Sequence, residues 1–130
     1  MTILNHKKFT AVFVLAAALA ASGLLAAANK YGKPKTVIHV VTIKWKDGTT
    51  PEQKSAAIKA ADKVAENYAG IKNLWTKQLK VQGKGYEHAI VMEFESEDAL
   101  AKYTGSDAQK EWYKVYLPIR DESTTHDITN

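Results

Sequence analysis

The chain changes its hydrophobic period several times, and each change marks an element. Thr36 to Trp45 (TVIHVVTIKW) is dense in β-branched residues and reads as a strand. Val37, His39, Val41, Ile43 and Trp45 share one face of it, and Ile38 and Val40 the other. Both faces are partly apolar, as in a central strand covered twice. Lys46 to Thr49 reads as a turn around Asp47-Gly48. Thr50-Pro51-Glu52-Gln53 then opens a helix, with an N-cap, a proline at the first helical position and a glutamine that completes a capping box. Ala57, Ile58, Ala61, Val64, Ala65 and Tyr68 form its apolar stripe, and Gly70 reads as a left-handed cap. Ile71 to Gln82 alternates as a second strand, Gly83-Lys84-Gly85 is a hairpin turn, and Tyr86 to Glu95 is a third strand. Tyr86, His88, Ile90, Met92 and Phe94 fall on one face of the third strand, and Ala89 and Val91 on the other.

Ser96 caps a second helix with Glu97 and Asp98 in its first turn; Ala99, Leu100 and Tyr103 face inward, and Gly105 ends it. Ser106 to Gln109 reads as a second capping box. It starts a third, short helix with Trp112, Val115, Tyr116 and Ile119 along one side. Ser123 to Thr129 reads as a fourth, weaker strand. The order βαββα(α)β implies an α+β domain, a four-stranded antiparallel sheet with its helices on one face. The other face keeps Ile38, Val40, Ala89 and Val91. A second copy packed sheet to sheet would cover it and close a barrel about a two-fold axis.

The N-terminal stretch has a different pattern. Lys7 and Lys8 precede an uncharged run, Phe9 to Leu25, which ends in Ala26-Ala27-Ala28. A charged start, an apolar middle and an A-x-A end make a secretory signal, with cleavage after Ala28. The run is short of the ~20 residues that span a bilayer, so no stable membrane insertion is expected after cleavage. Residues 1–28 are thus read as a signal peptide, 29–35 (NKYGKPK) as a flexible lead-in and 36–130 as one domain. The product is expected to be exported, to the periplasm or the medium. The absence of cysteine excludes disulfides, thiolate metal sites, cysteine nucleophiles and lipid attachment at an N-terminal cysteine. Without Lys7 and Lys8 the 18 basic residues become 16, against 14 acids, so the mature net charge is +2. Lysines predominate up to residue 84 and acids after it, but the lysines are scattered singly and Arg120 is the sole arginine. A nucleic-acid partner is therefore not expected, because base reading and stacking rely on arginine.

The segments VIHVVTIKWKDGTTPEQ, AGIKNL, GYEHAIVMEFESEDALAKY and THDIT, in this order and spacing, resemble the stress-responsive A/B barrel domain (Dabb) family over about residues 37 to 129. The resemblance implies a ferredoxin-like fold and a homodimeric α/β barrel. It fixes function less closely, because the family holds both stress proteins and enzymes. In a polyketide cyclase of this family, a tyrosine on the second helix and a histidine six residues on do the chemistry. The matching positions here are Tyr103 and Gln109. Glutamine takes up no proton near neutral pH, so the family's usual base is missing. Two strand histidines of the cyclase match His39 and His88.

The candidate catalytic residues are thus His39, His88 and Tyr103. The candidate ligand pocket is His39, Tyr86, His88, Tyr103, Gln109 and Trp112, with Tyr113 and Tyr116 as further aromatic walls. Each has a plainer alternative. Half-buried histidines with one hydrogen bond and aromatics at helical spacing are ordinary core features, and Gln109 closes a capping box. No metal or haem ligand set stands out, and no cofactor is expected. Two function classes stay open: a stress-related protein binding a small apolar or aromatic ligand without turnover, and a cofactor-free cyclase, isomerase, lyase or small monooxygenase-like enzyme using a pocket histidine and Tyr103.

Overall fold

The computed structural model describes residues 34–80 and 83–130. The expected signal segment, most of the lead-in and Val81-Gln82 lie outside the described residues. Seven elements follow in chain order: β1 (Val37–Trp45), α1 (Pro51–Asn67), β2 (Ile71–Trp75), β3 (His88–Phe94), α2 (Glu97–Tyr103), α3 (Asp107–Tyr116) and β4 (Arg120–Ile128). The strands form one sheet in the order β2-β3-β1-β4, with every neighbouring pair antiparallel. The long apolar strand β1 is central, as its two-sided pattern demands.

One sheet face carries the core. Val37, Val41, Ile43 and Trp45 of β1 and Ile90, Met92 and Phe94 of β3 are buried there. Against them pack Ala57, Ala61 and Val64 of α1, Ala99 and Tyr103 of α2, and Trp112 and Tyr116 of α3. The opposite face carries Ile38, Val40, Ala89 and Val91, all half-buried, and the exposed Trp75 and Ile128. Among the described residues no helix is long and apolar enough to cross a membrane.

The capping box of α1 is complete. Gln53 N–H donates to Thr50 Oγ1 at 3.2 Å, and Thr50 N–H donates to Gln53 Oε1 at 2.9 Å. At Ser106 only half of the second box forms. Ser106 Oγ accepts from Gln109 N–H, but Gln109 Oε1 accepts from the Gly105 N–H at 2.7 Å. The Ser106 N–H is already committed to the Tyr103 carbonyl.

Four other features differ from the sequence pattern. Gly70 has no positive φ, and its smallness serves space: a Cβ there would lie 2.7 Å from the Tyr68 ring and 2.9 Å from Ala99 Cβ. β2 ends at Trp75, well short of Gln82. Beyond it the Gln78 side chain takes the place of a strand backbone, donating to the Glu87 carbonyl at 2.5 Å and accepting from Ala89 N–H at 2.7 Å. β3 starts at His88 rather than Tyr86, because Gly85 (φ +81°) and the turn before it break the alternation. β4 starts at Arg120, three residues before Ser123. A register shift between Lys44 and Trp45 pairs Lys44 with Glu122 but Trp45 with Arg120, so Asp121 is an extra residue. That bulge moves Arg120 to the helix side of the sheet, where strict alternation from Glu122 would have excluded it.

Candidate functional site

A cavity of about 250 Å³ lies between the helix-side face of β1 and β4 and the elbow of α2 and α3. Its floor is His39 and Val41 of β1 and Ser123 and Thr125 of β4. The elbow forms because Thr104 is extended and Gly105 takes φ +78° before Ser106 caps the next helix. Tyr103 therefore enters from the last residue of one helix. Gln109, Trp112, Tyr113 and Tyr116 enter from the other at positions i, i+3, i+4 and i+7, one continuous helical face. Arg120 closes one side.

The aromatic walls are held firmly. The Trp112 ring stacks on Tyr116 at 4.4 Å with 8° between planes, and its Nε1–H donates to the Ala57 carbonyl at 3.0 Å. The polar groups are less well satisfied. Tyr103 Oη, Tyr116 Oη and Arg120 Nε are all sealed from solvent, and none makes a well-aligned hydrogen bond among the described residues, although the Gln109 side chain lies against the Tyr103 hydroxyl and those of Ser123 and Arg120 against the Tyr116 hydroxyl. Native interiors leave few such groups, so three around one small cavity is a concentration that needs an explanation. Burial pushes the Tyr103 hydroxyl well above the ordinary tyrosine range, with Tyr113 and Tyr116 adding to the rise and the Gln109 amide opposing it. Burial likewise raises Tyr116, against the opposing influence of Ser123 and Arg120. Both phenols therefore keep their protons at neutral pH. Arg120 Nη1 donates to Ser123 Oγ at 3.3 Å, and its guanidinium lies 5.7 Å from the centre of the Tyr116 ring.

At the other end of the floor, His39 Nδ1 lies 2.6 Å from Asp127 Oδ1. The two residues are direct cross-strand partners, so sheet register alone brings them together. Nδ1–H donates to the carboxylate, and this fixes the neutral tautomer with an open lone pair on Nε2. Phe94 and Tyr103 hold the ring edge-on, at 5.8 and 6.4 Å between centroids.

The structure thus brings His39, Tyr103, Gln109 and Trp112 to one cavity and places the other two candidates elsewhere. His88 faces the helix side but lies at the opposite end of the sheet, paired with Ile43, whereas His39 pairs with Met92. Its Nδ1 accepts from Trp45 Nε1–H at 2.8 Å, so Nε2 carries the proton of the neutral ring. Its pKa is lowered, chiefly by burial, with Glu87 opposing and Lys54 reinforcing the effect. A ring whose lone pair is already engaged cannot serve as a general base there. Tyr86 lies on the opposite sheet face, where its hydroxyl donates to Glu122 Oε1 at 2.7 Å and Lys44 Nζ sits 4.6 Å from its ring centre. Sequence reasoning missed Arg120, Ser123, Thr125 and Asp127, since β4 has no strong hydrophobic pattern. The one available signal was that Arg120 is the chain's sole arginine. Among the described residues no three His, Cys, Asp or Glu side chains converge to hold a metal ion.

A family model described as Stress Responsive A/B Barrel Domain (Dabb) matches residues 37–130. The stress-response A/B barrel domain-containing protein HS1 of Arabidopsis thaliana is 30% identical over 96 residues, covering 66% of this chain and 82% of the relative. A dimeric ferredoxin-like protein of unknown function from Thermobifida fusca superimposes with a TM-score of 0.65 at 20% identity, over 78% of this chain and 97% of that one. The hydroxynitrile lyase of Passiflora edulis superimposes with a TM-score of 0.62 at 18% identity, over 73% and 93%.

Proposed function

The chain belongs to the stress-responsive A/B barrel domain family, and from that premise we propose that it is an exported, homodimeric protein that binds one small molecule per protomer without turning it over. The observation that carries the binding reading is the cavity itself, with aromatic walls and a few polar groups converging on it. Pockets for small ligands combine such walls with a few convergent polar groups. The volume, about 250 Å³, falls just below the ~300–1,000 Å³ range of drug-sized pockets, so a single-ring molecule suits it. The ligand expected from the sequence was apolar or aromatic. The aromatic body stays in this proposal, and the polar groups add an oxygen-bearing substituent to it.

Dimerisation is supported by the open sheet face, where Ile38, Val40, Val91, Trp75 and Ile128 form an apolar surface bordered by the Lys44–Glu122 ion pair. The dimeric ferredoxin-like neighbours support it too. Export rests on the segment ending at Ala28, and a role in stress tolerance on the family.

A second reading, a cofactor-free enzyme, is favoured by one observation, the His39–Asp127 pair. A carboxylate on Nδ1 orients the imidazole, as it does where a histidine serves as a base. Tyr103 would then be the hydrogen-bond donor. The hydroxynitrile lyase shares the fold and supports this reading only to that extent.

A thermal-shift screen of single-ring compounds tests the binding reading. Compounds that bind should stabilise the wild type by several degrees and leave Thr125→Leu, which fills the cavity floor, unshifted. Equal shifts in both proteins, or none in either, would contradict it. A compound consumed by the wild type but only bound by His39→Gln would move the conclusion to the enzyme.

A further inference from the structure

We propose that the connection from β2 to β3 is a docking surface for an anionic lipid membrane, with Leu79 entering the lipid interface while Lys77, Lys80 and Lys84 face the lipid phosphates. Such a contact is peripheral and needs nothing from the cavity.

The backbone course presents Leu79. The Gln78 carboxamide donates to the Glu87 carbonyl and accepts from the Ala89 N–H, so residue 78 is turned toward β3 and its neighbour is turned away. Leu79 is 99% exposed, whereas Trp75, Val115, Leu117 and Ile128, the other large apolar side chains at the surface, are 36–59% exposed. A single apolar residue on a surface is ordinary. The charges around Leu79 are what set it apart.

Between Glu66 and Glu87 the sequence contains no acid, and Lys77, Lys80 and Lys84 all fall within five residues of Leu79. These three lysines are exposed, and among the described residues none of them is in an ion pair. The first acid after them, Glu87, is engaged by Lys54 at 2.7 Å. At the base of the connection, Thr76 and Gln78 share a groove of about 510 Å³ with Lys59 of α1, a further exposed lysine in none of the ion pairs. Uncompensated cations alone suit any polyanion. A nucleic acid or an acidic polysaccharide would meet the lysines and leave the leucine in water. An anionic bilayer takes both, since its phosphates attract the lysines and its acyl boundary receives the apolar side chain. Among the described residues no helix is long and apolar enough to cross a membrane, so the lipid contact rests on this surface.

Co-sedimentation of the purified protein with vesicles of phosphatidylcholine, and with vesicles of an equal mixture of phosphatidylcholine and phosphatidylglycerol, tests the assignment. A lysine near an anionic bilayer contributes about fivefold in affinity, so three should make binding to the mixed vesicles at least about tenfold tighter. The Lys77→Gln/Lys80→Gln/Lys84→Gln variant should lose that preference. Leu79→Ser should weaken binding to the mixed vesicles about tenfold. These substitutions fall on exposed side chains, so the fold is retained. Equal sedimentation with both vesicle types, or with neither, would overturn the assignment. So would a Leu79→Ser variant that binds the mixed vesicles as the wild type does, because the lysines would then be acting as a general polyanion site. Native mass spectrometry of Leu79→Ser should show the wild-type oligomeric state. A smaller species would mean that a second copy of the chain, and not lipid, covers Leu79.

Discussion

His39 and His88 occupy equivalent positions in the sequence pattern, each on the apolar side of a strand, yet their partners give them opposite characters. Asp127 accepts from His39 and leaves Nε2 open as a base; Trp45 donates to His88 and occupies the nitrogen that could have been one. Nothing local in the sequence separates them, because Asp127 reaches His39 only through the pairing of β1 with β4. The difference has a measurable consequence at His88. Burial lowers its pKa below the ordinary 6.5, so the unfolded chain takes up a proton first as the pH falls. The neutral His88 contact is therefore at full strength above about pH 6.5, and its contribution declines as acid carries the solution below that value. His88→Asn keeps an acceptor for Trp45 but does not titrate. Thermal unfolding between pH 7.5 and 5 should show a smaller loss of stability in this variant than in the wild type; parallel curves would contradict the assignment.

The elements show where a sequence pattern is reliable and where tertiary pairing replaces it. The Thr50 capping box, the α1 stripe and the two-sided pattern of β1 were legible because each is a local signal of several residues. The end of β2 was not. Its alternation continues past Trp75 on paper, but Leu79 is almost fully exposed and the Gln78 carboxamide carries the pairing to β3. Tyr86 was misplaced for a related reason, since a glycine turn resets which residues face which side. Of the pocket residues, Tyr103 and Trp112 could be read from helix periodicity, and Gln109 only from the family resemblance. Arg120 could not, because its orientation depends on a bulge that only the partner strand defines. Gln78→Ala removes both side-chain bonds, one to the Glu87 carbonyl just before β3 and one to the Ala89 amide within it. It should cost about 1–2 kcal/mol in urea unfolding and speed hydrogen exchange at the Ala89 amide. Unchanged protection of Ala89 would show that the Gln78 contact is not what secures the start of β3.

The described domain is a sheet with one face packed against helices and the other presenting Ile38, Val40, Val91, Trp75 and Ile128. The first face holds the cavity and the second is the proposed dimer interface, so the proposed binding and assembly would use opposite sides of the same four strands. Disruption of one should then leave the other largely intact. Native mass spectrometry of the protein recovered from cells that make it tests this account most directly, because one spectrum reports processing, assembly and occupancy together. The account predicts a dimer of chains beginning at Asn29, carrying a small-molecule adduct on each protomer, and a folded monomer for Val40→Asp. A wild-type monomer without an adduct, still bearing its first 28 residues, would contradict it.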